Sequence, residues 1–162
     1  VNRVAVVPYS DLWPLLYEQE AERIREALGS TLRVVEHVGS TAVPGLAAKP
    51  VVDIALSVES FENLDIAALE ELGYGYVPEF EGELPNRRYF SRAGFHVHAY
   101  EQEHEEFIDF LRFREYLRTH EEDARDYGEL KLRLAAEFAD QRDDYQAAKA
   151  PYIARLVRML RR

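Results

Sequence analysis

Over residues 11–28, DLWPLLYEQEAERIREAL, the apolar positions Leu12, Leu15, Leu16, Ile24 and Leu28 recur at helical spacing and predict a helix. Asp11 is placed to cap it, Pro14 falls in its first turn, and Gly29 is a plausible stop. The period then changes. Short and β-branched, Leu32–Val38 predicts a strand. TAVPGLAAK reads as a turn or a single helical turn. PVVDIALSV is the second strand, bounded by Pro50 before it and a polar segment after it. FENLDIAALEELG returns to helical spacing and ends at Gly73.

Short strand candidates follow in YGYVPE, RRYFSR and FHVHAYE, with FEGELPN as a loop and a hairpin link at Arg92–Ala93–Gly94. From His104 the pattern is helical again. EEFIDFLRFREYLRTH carries Phe107, Ile108, Leu111 and Leu117, and two further helical stretches complete the chain. Pro151 predicts a kink or a break in the last of them. The order of elements is that of an α+β chain: a small mixed sheet with a helical C-terminal third. Residues 1–162 read as one domain, with a core over 1–103 and a helical extension over 104–162.

Composition narrows the function. The chain has 162 residues, 47% apolar and 31% charged, with a net charge of −10. That acidity argues against broad nucleic-acid binding, which wants positive surface, but leaves room for a local basic pocket. With no cysteine, disulfides, thiolate metal sites and Cys nucleophiles are excluded. No apolar run is long enough to span a membrane and no signal-peptide layout is visible, so the cytoplasm is the default compartment. Charge is uneven: residues 101–126 hold ten acids against four arginines, whereas 145–162 hold five Lys or Arg and no acid. A solvated acidic face beside a basic tail accounts for this.

The stretch HVGSTAVPGLAAKPVVDIAL, residues 37–56, holds the candidate chemistry. Gly39–Ser40 follows a strand and opens a turn, where backbone N–H groups, Ser40 and Thr41 can meet phosphate oxygens. Asp53 lies inside the second strand. Alternation puts it on one face with Val51, Ala55 and Ser57, a small and polar face, opposite the apolar Val52, Ile54, Leu56 and Val58. A carboxylate there needs a cation or a donor, and Lys49 is near in sequence. In FHVHAYE, His96 and His98 share a face, and either stands near Asp53 if the strands are neighbours. An Asp with a His suits a divalent metal, Mg²⁺, Mn²⁺ or Zn²⁺, according to the rest of the shell.

The same stretch resembles the GrpB family of the nucleotidyltransferase superfamily, whose pattern runs H-[IV]-G-S-T-[AS]-V-P-G-L-x-[AS]-K-P-[IV]-[IV]-D. The likeness continues in RRYF, FHVHAY, FRFREYLRTH, YGELKLRLA and YQAAKAPYI, nearly the whole chain. It implies a nucleotidyltransferase-like core over 1–103, with Gly39–Ser40 as phosphate turn and Asp53 as first metal carboxylate and catalytic residue. In active members of the superfamily, Mg²⁺ or Mn²⁺ held by two or three carboxylates aligns the α-phosphate for attack by a hydroxyl. Here the second acid of the usual Asp-x-Asp is Ala55, and His98, with His96 beside it, stands where a later carboxylate is usual. The resemblance also implies relatives fused to dephospho-CoA kinase.

The helical third adds cations. Tyr127 and Lys131, Tyr145 and Lys149, and Arg114 and Arg118 are each four apart and share helix faces. Converging on the open sheet face, Arg118, Lys131 and Lys149 form a pocket for a polyphosphate, to which Lys49 and Arg88 are further candidates. Of the adjacent pair Arg87 and Arg88, only one can face the site. The sequence thus points to a nucleotide-binding protein that transfers a nucleotidyl group to an acceptor using divalent metal. A regulatory domain binding a nucleotide or coenzyme A precursor without turnover is the alternative. The acidic 101–126 segment offers a third reading, a protein-interaction module.

Overall fold

A computed structural model describes residues 3–162. Helix α1 spans Leu12–Leu28, but its buried side is Trp13, Tyr17, Glu20, Ala21, Ile24 and Leu28. Leu12, Leu15 and Leu16 are exposed, so the stripe expected from the leucines is wrong in its first half. The reason is continuity and size. Trp13 and Tyr17 line up at helical spacing with Ala21, Ile24 and Leu28, and the two aromatics bury more area than leucines. Asp11 occupies the N-cap position without a cap bond, and the Leu12 N–H donates to Ser10 Oγ instead (3.2 Å). Gly29 ends the helix at φ +57°. On the buried side, Glu20 accepts from Arg92 Nη2 (2.6 Å), Tyr74 Oη (2.8 Å) and Arg23 Nη1 (3.0 Å). These bonds offset the desolvation of its charge and tie α1 to the sheet.

Strands β1 (Leu32–Val38), β2 (Val52–Val58), β3 (Gly75–Tyr76), β4 (Arg88–Arg92) and β5 (Phe95–Glu101) form one mixed sheet in the order β1-β2-β5-β4-β3. The β2–β5 pair is parallel and the others are antiparallel. Helix α2 covers only Ile66–Glu71, shorter than expected. Asp65 caps it, its carboxylate accepting from the Ala68 N–H, and the preceding FENL lies outside. The loop before β4 contains a 3₁₀ turn at Pro78–Gly82.

The C-terminal third is α3 (Glu105–Thr119), α4 (Glu121–Glu137) and α5 (Arg142–Leu160). Pro151 sits inside α5, which runs on through it as one helix. The chain is α+β with a helical C-terminal part, as its pattern predicts. Basic C-terminus and acidic segment are not separate surfaces: Arg161 donates to the buried Asp109 of α3 and lies 3.9 Å from Glu105. Among the described residues, no helix is long and apolar enough to cross a membrane.

The sheet has two covered faces. Val52, Ile54, Leu56, Val58, Val97 and Ala99 pack with the buried side of α1 and with Leu69 of α2. Val38, Ala55 and Tyr100 pack on the other face with Phe107 of α3. Asp53, His96 and His98 share that second face by pleat alternation.

Candidate functional site

The site lies where β1 ends and the parallel strands β2 and β5 begin. Register puts Val38 opposite Asp53, Asp53 opposite His96, and Ala55 opposite His98. The chain leaves β1 at Gly39 with φ +73°, a backbone state that favours glycine. A Cβ there would stand 2.8 Å from Asp53 Oδ2. Gly39 is therefore needed twice, for the turn and for the close passage of backbone over the carboxylate.

Asp53 Oδ1 lies 3.0 Å from His98 Nε2 and 3.7 Å from His96 Nδ1. His98 reaches it diagonally, past the small Ala55. Its tautomer follows from the other side of the ring. Arg87 Nη1 is 3.3 Å from His98 Nδ1, and a guanidinium can only donate. Nδ1 accepts, Nε2 carries the proton, and His98 donates to Asp53. Burial pushes the Asp53 carboxyl up, but the hydrogen bond from His98 and nearby positive charge, Lys149 included, bring it below its ordinary value. Asp53 is held ionised.

Above this pair stand the lysines. In each Tyr-x-x-x-Lys pair the lysine folds back toward the N-terminus of its helix and onto the tyrosine. Lys131 Nζ is 4.6 Å from the Tyr127 ring centre, and Lys149 Nζ is 5.2 Å from that of Tyr145. Lys49, from the segment before β2, lies 5.5 Å from the same Tyr145 ring. Tyr127 and Tyr152 stack at 4.6 Å, which locks α4 against α5. Gly128 lets α4 press onto Leu46 of the turn, where a Cβ would meet Leu46 Cδ1 at 3.3 Å. Lys131 is 2% exposed, and its Nζ has no hydrogen-bond partner; Tyr145 Oη is buried and unpartnered as well. Burial lowers the Lys131 pKa to about 7, helped by Lys149 and Lys49. Burial and Lys49 lower that of Lys149 to about 8. Burial and Arg142 lower that of Lys49. The acid whose field opposes all of these shifts is Asp53.

Of the residues singled out from sequence, Gly39, Ser40, Lys49, Asp53, His96, His98, Lys131 and Lys149 come together here. Thr41 does not face the cluster: it is buried, with its hydroxyl 2.9 Å from His37 Nε2 on the α1 side. His37 stacks on Tyr17 there, and burial holds it neutral, its pKa lowered to about 4. Arg88 is on the opposite face of the sheet, over Phe61 (4.1 Å), because β4 register pairs it with Ala99. Its neighbour Arg87 takes the site side, over Tyr89 (4.9 Å). Arg118 turns away as well, donating to Ala42 O (2.9 Å) and Glu115 (3.1 Å), while Arg114 binds Glu36 (2.6 Å). The arginine face of α3 thus braces the back of the turn. Arg87 was findable from sequence only through register: it shares parity with Tyr89, which pairs with His98. Arg142, at the start of α5, is close enough to shift His96 and Lys49, and no spacing pattern marks it.

A divalent metal does not fit this donor set well. Among the described residues, no group of three or more His, Cys, Asp or Glu is arranged to hold one. The second acid position is Ala55, fully buried against Val38, Tyr100 and Phe107. Asp53 is also surrounded by ammonium groups, which repel a metal ion.

Comparison with known proteins agrees with the fold. A family model described as GrpB protein matches residues 3–159. The UPF0157 protein YqkA of Bacillus subtilis is 34% identical over 94% of this chain, which spans 46% of that protein's length. A shorter match, 40% identical over 45% of this chain, covers 19% of a dephospho-CoA kinase of Mycolicibacterium paratuberculosis. The crystal structure of the conserved protein GrpB from Enterococcus faecalis superposes with a TM-score of 0.89 at 35% identity, covering 96% of both chains. Matched along nearly its whole length in both sequence and fold, this chain belongs to the GrpB family.

Proposed function

We propose that the chain binds a small phosphorylated molecule, with a nucleotide as the first candidate, between the Asp53 face of the sheet and helices α4 and α5. Lys131 carries this reading: a buried ammonium without a partner, beside Lys49 and Lys149. Such a charge is costly unless a counter-charge meets it. Phosphate oxygens supply that charge and accept from ammonium and guanidinium donors. Nearby, the Gly39–Ser40 turn, Arg87 and Arg142 offer further donors and positive charge.

Ala55 supports binding over nucleotidyl transfer. The two-metal route needs a second carboxylate on the Asp53 strand face, and that position is packed with apolar side chains. On this reading, the resemblance of the sequence to nucleotidyltransferases accounts for a phosphate-binding turn and not for a reaction. The partial match to a dephospho-CoA kinase adds coenzyme A precursors to the candidates.

Isothermal titration of ATP, GTP, CTP, UTP and dephospho-coenzyme A against wild type and Lys131→Met tests the proposal. At least one ligand is expected to bind wild type and to lose most of its affinity in Lys131→Met. If none binds wild type, the proposal fails. Mass spectrometry of the same mixtures should find the bound ligand unconsumed.

A further inference from the structure

We infer that the lysine cluster takes the place of the metal: Lys49, Lys131 and Lys149 bind the ligand's phosphates directly, without a divalent cation. The inference rests on the phosphorylated-ligand reading above and says how that ligand is held.

Charge balance around Asp53 is the first ground. A site that binds nucleotide through metal is rich in carboxylates, since the cation must be held before it can bridge to phosphate. Here the balance is reversed. One carboxylate, Asp53, faces three ammonium groups, and Arg87 and Arg142 lie close by. The carboxylate is already engaged, accepting from His98 at 3.0 Å. Its field partly offsets the mutual repulsion of the lysines when no ligand is present.

The second ground is where the cations come from. Lys49 enters from the segment before β2, Lys131 from α4 and Lys149 from α5. Each of the helical lysines is bent back over a tyrosine one turn earlier, which restricts where its ammonium can go. Lys131 Nζ is buried and makes no hydrogen bond, although an ammonium has three to give. Three elements therefore bring their positive ends together around Asp53. A di- or triphosphate, with several charges on adjacent groups, matches that spread of donors better than a single carboxylate.

The test uses inorganic triphosphate as probe, titrated calorimetrically into the whole protein in excess EDTA and again with excess Mg²⁺ or Mn²⁺. The expected result is binding in EDTA that metal does not improve. Lys131→Met and Lys149→Met should each weaken it about 10- to 100-fold, the worth of a charge-assisted hydrogen bond. Asp53→Asn should hold or tighten binding, because it removes a negative charge beside the phosphates. Binding that requires metal, survives Lys131→Met and is lost in Asp53→Asn overturns the inference and leaves a phosphorylated ligand standing. No binding of triphosphate or of the nucleotide panel, with or without metal, overturns both.

Discussion

At the scale of residues, the site depends on a few side chains whose neighbours leave little choice. Gly39 combines a positive φ with a passage so close that any Cβ would strike Asp53. Gly39→Ala is expected to cost about 1–2 kcal/mol from the backbone alone and to push Asp53 off His98. The second effect is checked by the His98 ring NMR shifts, which should lose the signature of the Asp53 bond; unchanged shifts would contradict it. Lys131 has the opposite character, a residue the fold would be better without. Its folded pKa of about 7 lies well below the ordinary lysine value. The unfolded chain therefore holds an extra proton from about pH 7 upward, and by linkage the stability of the free protein rises with pH between 7 and 9. Urea titrations across that range should show the rise, and Lys131→Met should reduce it to the part that Lys149 contributes. Anion binding runs the other way. A bound phosphate favours the protonated lysines, so affinity should fall as pH climbs through the Lys131 and Lys149 values of about 7 and 8.

At the scale of elements, what the sequence predicted depended on how local the cause was. The strands Leu32–Val38 and Phe95–Glu101 and the Gly29 stop follow from β-branching, alternation and a glycine, all visible within a few residues. The facing of α1 was not visible, because a helix with two possible stripes is settled by what it packs on, and the aromatic stripe met the sheet. Lys131 and Lys149 were legible because Tyr-x-x-x-Lys spacing fixes a shared helix face. Arg88 was misplaced and Arg87 left undecided because strand register is a long-range property. Ala55 was legible as a missing acid, but its apolar surroundings were not, since α3 supplies Phe107 from fifty residues away. Those surroundings make a prediction. Ala55→Asp, which restores the acid spacing of active nucleotidyltransferases, is expected to destabilise the fold by about 3–5 kcal/mol through a buried uncompensated charge. It should bring no metal-dependent turnover. A stable variant that hydrolyses or transfers nucleotide with Mg²⁺ would contradict this.

At the scale of the whole molecule, the chain is acidic while the surroundings of Asp53 are basic. The net charge is −10, yet Lys49, Lys131 and Lys149 lie around one carboxylate, Asp53. Acids are disposed elsewhere: Glu20 is tied to Arg92 and Arg23, Asp109 to Arg161, and Glu36 to Arg114. Pairing these acids with arginines elsewhere leaves Lys131 Nζ without a hydrogen-bond partner. On the reading proposed above, this division of charge repels long nucleic acids and takes one small anion. The arrangement costs stability, because Lys131 is buried without a partner whether it holds its proton or gives it up. Thermal unfolding of wild type and Lys131→Met, each with and without ATP, tests that trade most directly. The account predicts that the variant is more stable when free, by about 1–3 kcal/mol, and that ATP raises the melting temperature of wild type much more than that of the variant. A variant that is less stable when free and still gains stability from ATP would contradict it.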